Sequence, residues 1–232
     1  MRPTRQWYLV LGFATALLVL VGPFDAAADT SQAWHMGQHV VLLTVAAPLL
    51  ALGVTDRGSS RRPFLTWQRR FLRRPLVRRA SRSATAVVAA AIVVQSAALA
   101  VWHLPEPYQA AVRNPLVHGL EHAVFLGTAV LFWWTLLHTS RARLGAGVFA
   151  LFVAALPGTA LGVLMTFAHS NWYPVYGGGS AGLADQQMAG VVMWAVGSTA
   201  YMIAAVIVFA AWLSSLEQAT PARPTGTGAV EP

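Results

Sequence analysis

Cysteine is absent from the chain. That excludes a disulfide framework, a thiolate metal site and a Cys-x-x-Cys redox relay. Charge is scarce as well. Only 10% of the 232 residues are Asp, Glu, Lys or Arg, against roughly 25% in ordinary soluble domains. Lysine does not occur, so all 16 basic residues are arginine. Any metal this chain holds must be bound by His, Met, carboxylate or backbone oxygen.

Apolar residues are abundant, at 56% of the chain. Several apolar runs reach or approach the roughly 20 residues that span a bilayer as a helix. The fold class implied is all-α, a polytopic transmembrane helical bundle, rather than a set of soluble domains. The net charge of +8 would fit nucleic acid if it were spread over one face. Instead, ten arginines lie between Arg57 and Arg82. Arginine clustered beside membrane spans is the positive-inside signal and attracts anionic lipid. The partner it implies is membrane lipid, not nucleic acid.

In chain order, residues 1–24 hold Arg2, Arg5 and an apolar stretch from Trp7 to Val21. This is either a secretory signal sequence, with Ala26-Ala27-Ala28-Asp29 as a small-residue cleavage site, or a retained first span. Retention gives about six spans and cleavage five. Five further spans read as 34–54, 84–102, 115–138, 144–168 and 185–213. Pro48 should kink the first of these and Pro157 the fourth. Gly158-x-x-x-Gly162 allows a close helix approach. Residues 55–83 form a basic cytoplasmic loop, in which Phe64, Trp67 and Phe71 fall at helical spacing and suggest a surface-lying amphipathic helix. Gly177-Gly178-Gly179 suggest a mobile outer loop, Asp185 reads as an N-cap, and residues 217–232 read as a disordered cytoplasmic tail. With both termini inside, fifteen arginines fall on the inner side and only Arg113 outside, which fixes the orientation.

On that topology His35, His39, His103, His118, His122 and His169 reach the outer side, and His138 the inner. His35 and His39 stand four apart, as do His118 and His122. Residues at i and i+4 share a helix face, so each pair can grip one metal ion, as the histidines of H-E-x-x-H do. One such pair is equally well explained by packing near a membrane surface. Two pairs from separate spans, at the same level, favour a metal or cofactor site, because ionisable groups at membrane depth are costly unless paired. Imidazoles suit copper, zinc, iron and nickel. Met36 and Met188 add thioethers at this level and tilt the choice toward copper, although each has a gap-filling explanation in an apolar bundle. Glu121 and Asp185 supply compensating negative charge.

Two other readings of the same residues stay open. Two facing histidines could ligate haem axially in a membrane cytochrome-like protein. His118-x-x-Glu121-His122 also matches the H-x-x-E-H zinc peptidase pattern, with Glu121 as general base. That match is short and frequent by chance.

Longer motifs carry a family likeness. His35-Met36-x-x-His39 leads to Ala47-Pro48-Leu49-Leu50-x-Leu52-Gly53. Trp102-His103-Leu104-Pro105 follows with Tyr108, then His118-x-x-Glu121-His122 with Phe132-Trp133-Trp134, Tyr173-Pro174-x-Tyr176, and Asp185-Gln186-Gln187-x-Ala189-Gly190 with Trp194. In this order, over residues 33–214, the chain resembles the polytopic CtaG-like cytochrome c oxidase assembly factors. The resemblance implies a non-enzymatic assembly factor in the bacterial plasma membrane, with its histidines on the outer side. It further implies haem–copper cytochrome c oxidase subunits as partners, a copper donor protein upstream, and copper as the bound metal. The ligands it implies are His35, His39, His103, His118 and His122, with Asp185 in support. His169 matches none of its motifs. Members more often have seven spans.

Overall fold

The computed structural model describes residues 4–54, 84–138 and 144–218. The basic loop 55–83 and the tail beyond residue 218 lie outside the described residues. Within them there are eight helices and no strand: α1 Thr4–Leu20, α2 Pro23–Ala28, α3 Gln32–Val54, α4 Ala84–Trp102, α5 Pro105–Arg113, α6 Pro115–Leu137, α7 Leu144–Thr166 and α8 Gly179–Glu217. Helices α3, α4, α6, α7 and α8 are long and apolar enough to cross a membrane, while α1 is a shorter apolar helix. The chain is an all-α polytopic bundle. Its outward faces are apolar, as Ile203, Val206 and Ile207 on α8 show, and that is what a helix in lipid requires.

Four of the five spans begin and end within two residues of the expected positions. The last differs. Helix α8 starts at Gly179 rather than Asp185, so Asp185 lies inside the helix and does not cap it. Glycine explains the early start. Gly177 and Gly179 take positive φ values of 109° and 66°, which glycine alone adopts cheaply. Gly182 then presses on the preceding loop, where a Cβ would strike Gly177 and Asn171. The loop expected to be mobile is also tied down. Asn171 Nδ2 donates to the Gly177 carbonyl at 2.7 Å, and Tyr173 hydroxyl donates to the His103 carbonyl at 2.6 Å.

Helix α3 is interrupted just before Pro48 by a π turn at Leu42–Ala46. The Ala47 N–H bonds to Leu42, and Pro48 has no N–H to give. The Leu43 carbonyl is therefore left without a helical donor, and Trp133 Nε1 of α6 donates to it at 2.8 Å. The kink predicted from Pro48 thus takes the form of a π bulge locked by a tryptophan on the next span. A second π turn, Val192–Val196, interrupts α8.

The glycine motif on α7 also works differently from the sequence expectation. A Cβ at Gly158 would meet nothing nearer than Leu99, at 4.0 Å. A Cβ at Gly162 would come within 2.8 Å of the Gly190 carbonyl and 2.9 Å of the Trp194 nitrogen. A Cβ at Gly190 would in turn lie 2.6 Å from the Thr166 nitrogen. Two helices cross here backbone to backbone, through a pair of glycines on different spans.

Helix α1 runs antiparallel against the second half of α3. A Cβ at Gly12 would meet Leu50, and one at Gly53 would meet Leu9. Gln38 Nε2 adds a bond to the Val19 carbonyl at 2.6 Å and to Asp25 Oδ1 at 3.1 Å. The apolar core lies midway along the bundle, around Leu42, Phe125, Phe132 and Leu151. Polar residues gather at the end where α3, α6 and α8 begin.

Candidate metal centre

Helices α3 and α6 each present two histidines from one face to a common point. On α3 the ring centroids of His35 and His39 are 4.5 Å apart, and on α6 those of His118 and His122 are 4.3 Å apart. Across the helices, His35 stacks on His118 at 5.0 Å with planes 24° apart, and His39 meets His122 at 5.0 Å. Glu121 is fully buried beneath them. Its Oε2 lies 3.5 Å from His35 Nε2 and its Oε1 3.8 Å from His39 Nε2.

Two overlapping donor sets result. His35, His118 and His122 can each offer one atom within 4.8 Å of the others, and so can His35, His39 and Glu121. His35 belongs to both. Among the described residues, no hydrogen-bond partner is present for His35 Nε2, either nitrogen of His39, Nε2 of His118 and His122, or either oxygen of Glu121. A buried polar atom without a partner costs about 1–3 kcal/mol, and more when charged. So many at one point fit a cation there. Imidazole and carboxylate are ligands for copper, zinc, iron or nickel.

The remaining predicted residues divide. His103, just beyond the end of α4, is buried beside the cluster, 6.3 Å from His39 between ring centroids. Its Nδ1 is 2.8 Å from the Leu99 carbonyl and its Nε2 is 3.5 Å from Met36 Sδ. Burial lowers the His103 pKa and so favours the neutral ring. Met36 is buried, at 1% exposure. Met188 is 55% exposed and turned outward, away from the site, because its helical neighbours Gln186 and Ala189 take the inward positions on α8. His169 is exposed and His138 lies at the opposite end of α6, where its Nδ1 meets the Trp134 carbonyl.

Asp185 is placed at the first turn of α3 and outside both donor sets. Its Oδ2 accepts the Gln32 N–H at 2.6 Å, and its Oδ1 accepts the Ser31 hydroxyl at 2.9 Å and the Ala33 N–H at 3.3 Å. The anion caps the helix that carries His35 and His39, where the dipole favours negative charge.

A model of the family described as cytochrome c oxidase caa3 assembly factor, Caa3_CtaG, matches residues 1–215. The chain belongs to that family. No curated protein and no solved structure matches it. Its family ties this Caa3_CtaG chain to the assembly of cytochrome c oxidase.

In this Caa3_CtaG chain the support around the histidines exceeds what motif reading identified. Asp185 holds the start of α3, and Gln186 and Gln187 both hold the loop that follows α7. Gln186 Oε1 accepts the Trp172 N–H at 2.6 Å and its Nε2 donates to the Ser170 carbonyl, while Gln187 Nε2 donates to the Ala168 carbonyl. Tyr108 is fully buried, 5.4 Å from His35 and 4.1 Å from Tyr173 between ring centroids. Burial pushes its phenol well above the usual range, so it stays protonated against the cluster. Its place next to the Trp102-His103-Leu104-Pro105 motif was the available signal.

Proposed function

We propose that the chain binds copper through His35, His39, His118, His122 and Glu121 and assists metallation of the haem–copper oxidase. The observation that carries this reading is the convergence of unpartnered, buried ring nitrogens and carboxylate oxygens from two spans. The family supplies the oxidase as the object of the assembly function, and a copper donor protein would stand upstream. When bound, copper would supply the cargo for an oxidase centre. The chain's own residues would hold it, balance its charge through Glu121, and keep it from water.

The cluster end of the bundle is read as the outer face of the plasma membrane. The arginine-rich segment 55–83 joins the opposite ends of α3 and α4, and basic loops stay on the cytoplasmic side. The cluster geometry does not favour the other two readings. The histidine rings touch one another at 4.3–5.8 Å, which leaves no slot of macrocycle width between them. Glu121, at 0% exposure, is wedged against His35 and His39 and does not face a cleft, as a general base acting on a peptide must.

Metal analysis of the full chain, purified in detergent from copper-fed cells, tests the proposal. Bound copper in the wild type, lost in His35→Ala/His39→Ala without loss of the folded protein, is expected. A wild-type protein free of copper, with no change in the double variant, would overturn it.

A further inference from the structure

The donors assigned to one site from sequence fall into two groups in space. Glu121 serves the first group, which is nitrogen and oxygen only. His103 stands apart from it, in neither donor set and 6.3 Å from His39 between ring centroids, and Met36 Sδ lies against His103 Nε2.

Their contact has an unusual proton balance. The Leu99 carbonyl can only accept, so at 2.8 Å the His103 Nδ1 carries the proton. In the neutral ring Nε2 then holds a lone pair, and it points at Met36 Sδ from 3.5 Å. A thioether has no proton to offer. Two lone pairs therefore face each other in a buried place, with no hydrogen between them. One cation would satisfy both, since 3.5 Å is spanned by an ion bonded to each atom at about 2.0–2.3 Å.

Space is available beside the pair. A cavity of about 60 Å³ is lined by Met36, His39, His103, Phe125 and Met193. Both ring nitrogens of His39 lack a hydrogen-bond partner among the described residues. His39 faces this cavity on one side and Glu121 on the other, and so stands between the two groups.

Resting on the copper reading above, we propose that His103 and Met36 form a second metal site, which takes a soft monovalent cation, copper(I), with silver(I) as its surrogate. Thioether sulfur selects copper(I), whereas the imidazole and carboxylate group also suits divalent ions. The pair thus sorts with the softer oxidation state, one ring away from the harder site.

The lack of cysteine makes the test direct, because any metal–sulfur bond in this chain must come from methionine. The full chain in detergent is loaded with copper(I) under anaerobic reducing conditions and measured by X-ray absorption at the copper edge. A copper–sulfur shell is expected in the wild type. It should be lost in Met36→Leu and retained in Met193→Leu and in His118→Ala/His122→Ala. Selenomethionine-labelled wild type should show a copper–selenium shell, which covers the case of an unfolded variant. A nitrogen-only shell, lost in His118→Ala/His122→Ala, would overturn the second site and leave the first standing. A sulfur shell that survives Met36→Leu would overturn the assignment to this pair. A protein that takes up no copper in either oxidation state would overturn both readings together.

Discussion

Asp185 caps a helix that starts 153 residues before it, accepting the Gln32 N–H at 2.6 Å. The same carboxylate takes the Ser31 hydroxyl and the Ala33 N–H. It thereby fixes the start of α3, one turn before His35, to the inside of α8. The residue acts on the metal centre through backbone placement.

Asp185→Ala should therefore cost about 1–2 kcal/mol, as loss of a strong N-cap does. The thermal midpoint of the detergent-solubilised protein should fall. Copper bound at saturation should stay at the wild-type level, with a weaker affinity. Loss of the copper itself, at an unchanged midpoint, would make Asp185 a ligand instead.

Gly162→Val should destabilise the bundle by at least about 1–3 kcal/mol, because an added side chain meets the backbone of Gly190 and Trp194. Gly158→Ala should be near neutral, since its nearest neighbour is at 4.0 Å. Thermal midpoints of the two variants check the contrast. Equal effects would mean that the interface runs along the whole Gly158-x-x-x-Gly162 face.

Trp133→Phe keeps an aromatic ring but removes the N–H that satisfies the Leu43 carbonyl. Leaving that carbonyl unpaired should cost about 1–3 kcal/mol. Since Pro48 offers no N–H, Pro48→Ala should soften the loss by restoring a helical donor. A double-mutant cycle measured by thermal unfolding reads this directly. Strictly additive effects would contradict the coupling.

Packing of α1 on α3 through Gly12, Gly53 and Gln38 predicts that the first span stays in the membrane-embedded protein. Intact mass of protein purified from membranes should include residues 1–28. A mass lacking them would show that the small-residue motif at Ala26-Ala27-Ala28 is cut.

Span positions and the histidine pairs were legible in the sequence because hydropathy and helical spacing are local properties. His35 with His39, and His118 with His122, needed only the i, i+4 rule. What could not be read was which distant group meets which. Asp185 looks like a local cap until α8 is seen to begin at Gly179. The partner of Gly162 is Gly190, on another span, and no spacing within α7 reveals it. Met36 and Met188 look alike as soft donors, yet the packing of α8 turns one of them outward. The π turn before Pro48 replaces a simple kink because Trp133 reaches it from α6. Each of these depends on the register between helices, which the hydrophobic pattern of one helix does not specify.

The central claim is that the histidine cluster serves oxidase metallation. The copper content of the caa3-type oxidase, isolated from cells carrying His118→Ala/His122→Ala at wild-type protein level, tests it most directly. We predict an oxidase deficient in copper, restored when the wild-type chain is returned. A fully metallated oxidase in those cells would contradict the account.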